Sequence, residues 1–316
     1  MIKYENIRNF VRRTIRFGGY IPVSNLVLTY GQSVLPSRFL RKITLVRNRK
    51  IQRFLYPVID RVCRDSVGLS GREPQKDAPI WFCWFQGEEQ MPEIPRLCLA
   101  SIRRNAGGHR VIVLDRENYV QYCTLPDIVV KRYFAGELKQ AHFADILRIN
   151  LLAQQGGLWL DATMLITAPL PDYVFDMPFF SIKTQPEGYF VSACRWAVFC
   201  LAANEGNPLF VRLSKAFEEY LLQTDIFVDY FMFDQFIEML SERDPEIKKM
   251  ISEVPFNNPD VHRLNGLLCE EFDAAKFDEL CGRTWAFKLN LRTYSSSRLN
   301  ENPNNFYNRI KSIYLK

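Results

Sequence analysis

The clearest pattern of apolar and polar positions begins near Leu138 and predicts an amphipathic helix. Asp145 and Arg148 lie three positions apart in this helix and therefore share one face, where both side chains can bind the same ligand. Gly156 and Gly157 follow, where a helix needs a residue that tolerates positive φ to close its last carbonyls. The helix is therefore predicted to end there. The apolar positions at helical spacing are Phe143, Ile146, Leu147, Ile149, Leu151 and Leu152.

A short buried strand is predicted directly after the two glycines. Residues 158–160 are apolar and too few to be amphipathic, and Asp161 follows them. Because open α/β sheets place ligand-binding groups at the carboxyl ends of their strands, Asp161 is a candidate to bind a metal ion or a hydroxyl group. The alternative is an ordinary helix-turn-strand unit in which Asp145 and Arg148 form a surface ion pair worth ~0.3 to 0.5 kcal/mol.

The segments on both sides predict further elements of an α/β domain. A strand at residues 80–85, a helix from Glu93 to near Gly107 and a second strand at residues 110–114 make a βαβ unit. Such a unit opens a Rossmann-like sheet. Further strands are predicted at residues 179–183 and 285–289, and helices at residues 208–222 and around residues 231–235.

Composition provides enough material for one large α/β domain with an appendage. The chain has 316 residues, of which 47% are hydrophobic and 24% charged, so burial alone can stabilise it. We divide it into a basic, mainly helical region at residues 1–77 and a main domain at residues 78–316. The turn-forming stretch at residues 70–77 is the predicted linker.

Positive charge is concentrated in the first 59 residues. This segment has twelve basic residues and one acid, a net charge of +11, whereas the whole chain carries +6. Apolar positions such as Phe10 and Ile15 interleave with the basic ones, as in a helix that lies on an anionic membrane surface. There each cation contributes on the order of 1 kcal/mol. A basic helix solvated on the domain surface fits the pattern equally well.

Other partners and targeting signals find less support in the sequence. Residues 17–37 carry no charge, but Asn25, Gln32, two prolines and three glycines make them a poor spanning helix. A secretory signal is not expected, because no compact apolar core precedes a cleavage site. Nucleic acid is not expected as a partner either, since the basic residues come with no helix-turn-helix, zinc module or aromatic RNA-binding motif.

The cysteines and histidines argue against disulfides and against a zinc site. Eight cysteines are scattered without a Cys-x-x-Cys pair, and Cys83 lies inside an apolar strand. Buried reduced thiols explain this distribution better than a disulfide framework, so a cytoplasmic protein is expected. The chain has only three histidines, which disfavours a His-rich zinc site.

The central segment carries a family resemblance. Residues 144–148 (Ala-Asp-Ile-Leu-Arg), the Gly156-Gly157 pair and Leu160-Asp161 resemble the donor-site signature of retaining GT-A glycosyltransferases. These enzymes are related to the clostridial glucosylating toxins and to Och1-like sugar transferases. Within that clan the chain is most similar to the bacterial capsular polysaccharide synthesis proteins, which also have Asp-Ala-Thr in place of Asp-X-Asp. The resemblance extends from about residue 79 to residue 288.

This resemblance implies both a fold and a reaction. The expected fold is the GT-A form of the Rossmann-like α/β class, with residues 78–316 as the catalytic domain. The expected reaction transfers a hexose or N-acetylhexosamine from a nucleotide sugar, with UDP as the expected nucleotide, and retains the anomeric configuration. The acceptor would be a glycan or lipid-linked glycan of a growing capsular or other surface polysaccharide. The protein would then act in the cytoplasm, with peripheral attachment to the inner face of the membrane left open.

The resemblance also assigns donor-binding roles. Trp84, near the end of the first strand, would pack on the nucleotide base. Asp145 and Arg148 would hold the sugar hydroxyls, and Asp161 would bind the ribose or the sugar together with a metal; these three are the expected catalytic residues. Gly156 and Gly157 belong to the same donor-site signature.

One departure from the clan leaves the metal question open. The second acid of the wider motif is replaced by Thr163, and a neutral hydroxyl holds Mn²⁺ or Mg²⁺ less well than a carboxylate. Asp161 and Thr163 would coordinate the ion, and His262 is a further candidate, although a surface histidine is equally consistent. Alternatively, cationic side chains neutralise the leaving diphosphate, as they do at other phosphates. Lys288 is the candidate for that role, against the alternative of a solvated lysine.

Two more aspartates are candidate site residues, and for each of them a purely structural role is the alternative. Asp115 follows the second strand, where the resembled families contact the nucleoside; the alternative is a turn or capping aspartate ahead of residues 116–118. Asp234 lies in a predicted helix and would face the acceptor; the alternative is an aspartate at the edge of the core with a capping or ion-pair role.

Rival functions remain open at this stage. A glycan-binding or scaffolding relative without activity would tolerate Thr163, and a mannosyltransferase that uses GDP-mannose would share the fold. A nucleotidyltransferase is disfavoured because the segment after the first strand, residues 86–90, is acidic rather than glycine-rich and basic.

Overall fold

A computed structural model describes residues 4–31, 34–65, 71–75, 77–185 and 190–315 of the chain. The strands are β1 Ile80–Cys83, β2 Val111–Leu114, β3 Gly157–Leu160, β4 Met164–Ile166, β5 Phe179–Ser181, β6 Cys200–Ala203 and β7 Ala286–Lys288. The helices are α1 Tyr4–Phe17, α2 Tyr20–Tyr30, α3 Ser37–Asp65, α4 Glu93–Asn105, α5 Asp127–Phe134, α6 Gln140–Gln154, α7 Tyr173–Asp176, α8 Pro208–Gln223, α9 Met232–Arg243, α10 Pro245–Glu253, α11 Arg263–Leu267, α12 Ala274–Arg283, α13 Ser296–Leu299 and α14 Phe306–Tyr314. The predicted α/β class is confirmed.

Five strands form a mixed central sheet in the order β2-β1-β3-β6-β5. Strand β1 is parallel to β2 and to β3, whereas β6 is antiparallel to both of its neighbours. Cys83 is in register with Leu114, and Phe82 with Leu160. The residues that follow β2, β1 and β3 therefore emerge side by side at one edge of the sheet.

A separate two-stranded sheet pairs β4 with β7. The strands are antiparallel, and Met164 is in register with Lys288. Because β4 begins only three residues after Asp161, this pairing brings the end of β7 beside the loop that follows β3. The backbone N–H of Leu289 donates to the Thr163 carbonyl at 2.9 Å and fixes that arrangement.

The junction between α6 and β3 depends on two glycines. Gly156 and Gly157 have φ values of +65° and +93°, so the predicted helix end is confirmed. A Cβ on Gly157 would lie 2.3 Å from the Pro79 carbonyl oxygen, and one on Gly156 would lie 2.6 Å from the Glu205 nitrogen. Only glycine lets β3 enter the sheet this closely between β1 and β6.

The N-terminal helices pack against the rest of the molecule. One face of α3, which includes Ile51, Leu55 and Ile59, is buried in the common hydrophobic core, and the helix packs against α8 and α9. The prediction of a mainly helical region is confirmed. Residues 71–75 of the predicted linker have neither helix nor strand, and residues 66–70 and 76 lie outside the described part.

Ion pairs join these helices to the acidic main domain. Arg47 of α3 pairs with Asp229 in a buried position, and Arg12 of α1 pairs with Asp225 at an exposed one. Some of the basic residues at the start of the chain are thus neutralised inside the molecule rather than by an external partner. Within the described ranges, no helix has the length and apolar character that crossing a bilayer requires.

All eight cysteines are free thiols, which agrees with the prediction of reduced cysteines. Cys98, Cys123 and Cys200 are buried.

Candidate active site

Side chains from three segments meet at the carboxyl edge of the central sheet. On α6, the Arg148 Nη2 donates to Asp145 Oδ1 at 2.6 Å. The Arg148 Nη1 lies 3.5 Å from Oδ1 of Asp161, which directly follows β3. The Lys288 Nζ, at the end of β7, donates to Asp161 Oδ2 at 2.9 Å. We call these four residues, together with Thr163, the charged cluster.

The Arg148 side chain is buried and is fixed in place by several contacts. Its side chain is only 6% exposed, and Nη1 also donates to the Val198 carbonyl. The guanidinium lies over the rings of Trp159 and Phe233, at 5.1 and 5.6 Å from their centroids. Because a buried charge is costly unless it is paired, Arg148 and its two aspartates stabilise one another. Arg148 thereby fixes the orientation of both carboxylates.

Asp161 is a carboxylate by virtue of its neighbours. Burial would raise its pKa, but the nearby charges of Lys288 and Arg148 and the hydrogen bond from the Trp159 indole lower the pKa to about 2. The side chain keeps 30% exposure, so an oxygen remains within reach of a ligand. The group is therefore charged and accessible at any physiological pH.

Lys288 bridges the two polar side chains of the loop after β3. Its ammonium donates to Asp161 and also to Thr163 Oγ1, at 2.7 Å. The Nζ atom lies 5.3 Å from the centroid of the Phe199 ring, and the side chain is 23% exposed. The candidate for charge neutralisation thus sits between the two residues that were predicted to bind a metal.

Trp84 and Asp115 lie at the same edge of the sheet as Asp161. Trp84 follows β1 and is half-buried, and its indole N–H finds no hydrogen-bond partner among the residues that the structure describes. Asp115 Oδ1 accepts hydrogen bonds from the backbone N–H groups of Glu117 and Asn118. Asp115 therefore stabilises a turn, which was the alternative to a ligand-binding role. Burial raises the pKa of the Cys83 thiol to about 12, and the nearby charges of Asp115, Asp161 and Arg148 also act on that pKa.

Asp234 is close to the charged cluster, but its hydrogen-bond partner lies outside the cluster. Its Oδ1 accepts from the Trp196 indole at 2.9 Å. Burial raises its pKa to about 6 against the effect of that hydrogen bond, and the negative charge of Asp145 raises it further. Phe233, the preceding residue, contacts Arg148. Asp234 is thus a third and weaker acid, next to the two carboxylates of the cluster.

His262 is linked to Lys288 of the charged cluster through the ring of Phe199. Its ring makes an edge contact with Phe199 at 5.7 Å, and Phe199 in turn faces Lys288. Among the residues that the structure describes, no group of three or more His, Cys, Asp or Glu side chains is arranged to hold a metal ion.

Gly156 and Gly157 are not brought to the cluster. They precede or begin β3, whereas Asp161 follows its far end, four residues or roughly 13 Å away. Their role in the structure is the tight junction between helix and strand, so we do not retain them as donor contacts.

Two residues near the cluster were not among the predicted site residues. The His142 Nδ1 lies 3.8 Å from Asp145 Oδ2, and its ring stacks on Phe227 at 3.9 Å. Tyr230 lies 5.7 Å from the His142 ring and is exposed. His142 is three residues before Asp145 on the same helix, so the spacing would have revealed it. Tyr230 comes from a distant loop, and no local pattern points to it.

A family model described as "Capsular polysaccharide synthesis protein" matches residues 32–310, most of the chain. The chain belongs to the capsular polysaccharide synthesis protein family. The family predicted from the central motif is thereby confirmed. In this capsular polysaccharide synthesis protein, the matched range contains every member of the charged cluster and excludes α1 and α2.

Several characterised proteins are similar to parts of this family member. It is 31% identical over 185 residues to Subversion of eukaryotic traffic protein A of Legionella pneumophila, covering 52% of this chain and 28% of that protein. It is 26% identical over 171 residues to the O-glycosyltransferase braB of Annulohypoxylon truncatum, covering 48% and 39%. It is also 26% identical over 127 residues to the O-glycosyltransferase PaGT of Phomopsis amygdali, covering 37% and 31%.

The chain therefore spans less than two fifths of the length of each of these relatives. Among solved structures, PaToxG Glycosyltransferase overlaps weakly, with a TM-score of 0.38, 14% identity, and coverage of 75% of this chain and 95% of that one.

Proposed function

We propose that this capsular polysaccharide synthesis protein is a glycosyltransferase with a GT-A fold. In this proposal it transfers a hexose or N-acetylhexosamine from a UDP-sugar, with retention, to a hydroxyl group of a growing capsular or other surface polysaccharide. The observation that carries the proposal is the meeting of Asp145, Arg148 and Asp161 in one cluster at the carboxyl edge of the sheet. Support also comes from the two relatives that are named O-glycosyltransferases.

The exposure of the cluster suggests a division of roles at the sugar. Asp145 and Asp161 keep 22% and 30% of their side chains exposed, whereas Arg148 keeps 6%. We therefore assign the contacts with sugar hydroxyls to the two carboxylates, which accept hydrogen bonds, and give Arg148 the task of orienting them. Trp84 is assigned to the base, because it follows β1 at the same edge and offers a half-buried aromatic face.

The leaving group is assigned to Lys288. In the transfer, the bond between the anomeric carbon and the diphosphate oxygen breaks, and the nucleoside diphosphate departs with the electron pair. The acceptor oxygen bonds to the anomeric carbon, and its proton passes to the departing phosphate. Preorganised positive charge at the leaving oxygen lowers the barrier of such a step, and the Lys288 ammonium, which lies beside Asp161, is assigned to supply it.

The acceptor side is assigned to the region of Asp234 and Tyr230. Asp234 lies next to the Arg148 contact Phe233, and Tyr230 exposes its ring beside His142. Exposed aromatic faces and a weakly acidic carboxyl suit a polar, ring-shaped acceptor such as a glycan. Asp234 is assigned to this surface on position alone.

The N-terminal helices are assigned to an anionic membrane surface. Apolar side chains that extend into solvent, including Ile15 at 81% exposure, lie on helices in the first 59 residues, a segment with a net charge of +11. An apolar face rimmed by cations is what binds the interface of an anionic bilayer. This attachment would keep the enzyme near a lipid-linked acceptor.

A screen of donor turnover tests the enzymatic assignment. Purified protein is incubated with a panel of UDP- and GDP-sugars, with and without Mn²⁺, and release of the nucleoside diphosphate is measured. Turnover of a UDP-sugar that Asp161→Asn abolishes would support the proposal. Turnover of GDP-mannose alone would favour the mannosyltransferase alternative.

The replacement of the second acid by Thr163 favours one further candidate, an inactive glycan-binding relative. That candidate predicts that no donor turns over and that Asp161→Asn leaves donor binding unchanged.

A further inference from the structure

The family resemblance predicts a divalent cation at the loop after β3, held by Asp161 and Thr163. In the structure, both of these side chains accept hydrogen bonds from the same ammonium group. The Lys288 Nζ lies 2.9 Å from Asp161 Oδ2 and 2.7 Å from Thr163 Oγ1. A positively charged side chain of this protein therefore occupies the place between the two expected metal ligands.

The side chains around this point do not fit a hard divalent cation. Mg²⁺ and Mn²⁺ prefer several carboxylate or carbonyl oxygens, whereas the loop offers one carboxylate and one hydroxyl. Arg148 faces the other oxygen of Asp161, which leaves that carboxylate between two cations. A metal ion bound there would meet the repulsion of both, and the described residues hold no group of three or more acids, cysteines or histidines to offset it.

The position of Lys288 is built into the fold. The residue ends β7, which is in register with β4, and its backbone N–H donates to the Val261 carbonyl at 2.7 Å. The next backbone N–H, from Leu289, donates to the Thr163 carbonyl. The ammonium lies against the Phe199 ring. Sheet pairing therefore sets where this charge lies, unlike that of a lysine free to move on the surface.

We propose that Lys288 replaces the divalent cation, so that the protein binds the diphosphate of its donor and stabilises the leaving group without a metal. This inference rests on the proposed function, since it concerns how the same site neutralises a nucleoside diphosphate. The side chain keeps 23% exposure, which leaves the ammonium open to a phosphate oxygen on the solvent side. A charged hydrogen bond between Lys and phosphate supplies the attraction that the metal would otherwise provide.

Calorimetric titration of UDP into the full-length protein tests the inference. Protein stripped with EDTA is compared with protein in Mn²⁺, and we expect equal affinity in both. Lys288→Met should weaken UDP binding by about tenfold to a hundredfold, which is the factor in affinity that one hydrogen bond to a charged group typically contributes. Lys249→Met is the control, because Lys249 is exposed on α10 and its ion pair there is with Glu253.

A reciprocal variant guards against a simple folding defect. In the double variant Thr163→Asp with Lys288→Ala, the second acid is restored beside Asp161 and the ammonium is removed, so UDP binding should now require Mn²⁺. Circular dichroism checks that each variant is folded.

The outcomes separate this inference from the proposed function. If the unmodified protein bound UDP only with Mn²⁺, the replacement of the metal would be overturned while the proposed function stood. If it bound no nucleotide in either buffer, both would be overturned. UDP binding by folded Lys288→Met equal to that of the unmodified protein would also overturn the role of Lys288.

Discussion

Asp161 keeps its negative charge because two cations face it. Its pKa of about 2 lies below the ordinary aspartate value of roughly 3.9. A lowered pKa stabilises the folded state fully above about pH 4, and that contribution is lost as the pH falls towards 2. At neutral pH the group is always a carboxylate, so it can accept hydrogen bonds from a sugar but cannot donate a proton to one.

Substitution of Arg148 tests the division of roles within the cluster. Arg148→Ala should weaken binding of a UDP-sugar by about tenfold more than binding of UDP, because in the proposal the aspartates that it orients contact the sugar and not the nucleotide. Calorimetry with both ligands measures this difference. The control is Arg64→Ala, which removes an exposed ion pair with Asp60 within α3. Equal losses for both ligands would assign Arg148 to the nucleotide instead.

Asp234 should make stability depend on pH. Burial raises its pKa to about 6, so the folded state holds this proton between about pH 4 and pH 6 while the unfolded chain releases it. Stability therefore falls as the pH rises through that window. Asp234→Asn mimics the neutral carboxyl and keeps an acceptor for the Trp196 indole. The variant should gain on the order of 2 kcal/mol over the unmodified protein at about pH 7.5 and clearly less at about pH 5.

Denaturant unfolding at the two pH values measures this effect. A gain that is the same at both would contradict the assignment of the raised pKa to Asp234.

The residues of the site were predictable to different degrees. Asp145 and Arg148 share a helical face by spacing alone, and Asp161 follows an apolar strand, so local patterns reveal all three. The bridge from Lys288 to Thr163 depends on the pairing of β4 with β7, which joins segments more than one hundred residues apart. No local pattern encodes such a contact.

At the level of elements, the segment from α6 to β3 was the most predictable. The helix was expected from Leu138 and begins at Gln140, because its apolar positions recur at helical spacing up to the glycines. The first strand was expected to reach Phe85 but ends at Cys83, since the chain turns there: the Gly87 N–H donates to the Trp84 carbonyl. Strands β4 and β6 were not predicted, because three or four apolar residues have no distinguishing period.

The glycine junction allows a test at this scale. Gly157→Ala should lower the free energy of unfolding by about 3 kcal/mol or more, because a Cβ would lie 2.3 Å from the Pro79 carbonyl and φ is +93°. Denaturant unfolding measures the change. The matched control is Gly282→Ala in α12, where a Cβ meets nothing within 4 Å and a small gain of up to about 1 kcal/mol is expected. Equal effects of the two substitutions would contradict the proposed role of the junction.

Across the whole molecule, the N-terminal helices link the membrane proposal to the site. Arg47 of α3 pairs with the buried Asp229, which directly precedes the exposed Tyr230 beside the cluster. The sequence predicted the helices and their charge but not this docking, because its partners lie almost two hundred residues away. From the sequence alone, the cations that pair with acids of the main domain could not be distinguished from cations that would face a membrane.

Vesicle binding tests the membrane assignment. Ile15→Ser should reduce cosedimentation with vesicles rich in phosphatidylserine, since it removes an apolar side chain that is 81% exposed on α1. The control is Leu222→Ser, which removes a similarly exposed apolar side chain from α8. Unchanged cosedimentation of the Ile15 variant, or an equal loss in the Leu222 variant, would contradict an interfacial role for α1.

The central claim is that the charged cluster is the binding site of a nucleotide sugar. The most direct measurement is calorimetric titration of a panel of UDP-sugars into the unmodified protein and into Asp161→Asn, with folding of the variant checked by circular dichroism. We predict that at least one UDP-sugar binds and that the substitution weakens its affinity by about tenfold or more. Binding of the sugar nucleotide with the same affinity in both proteins would contradict the account.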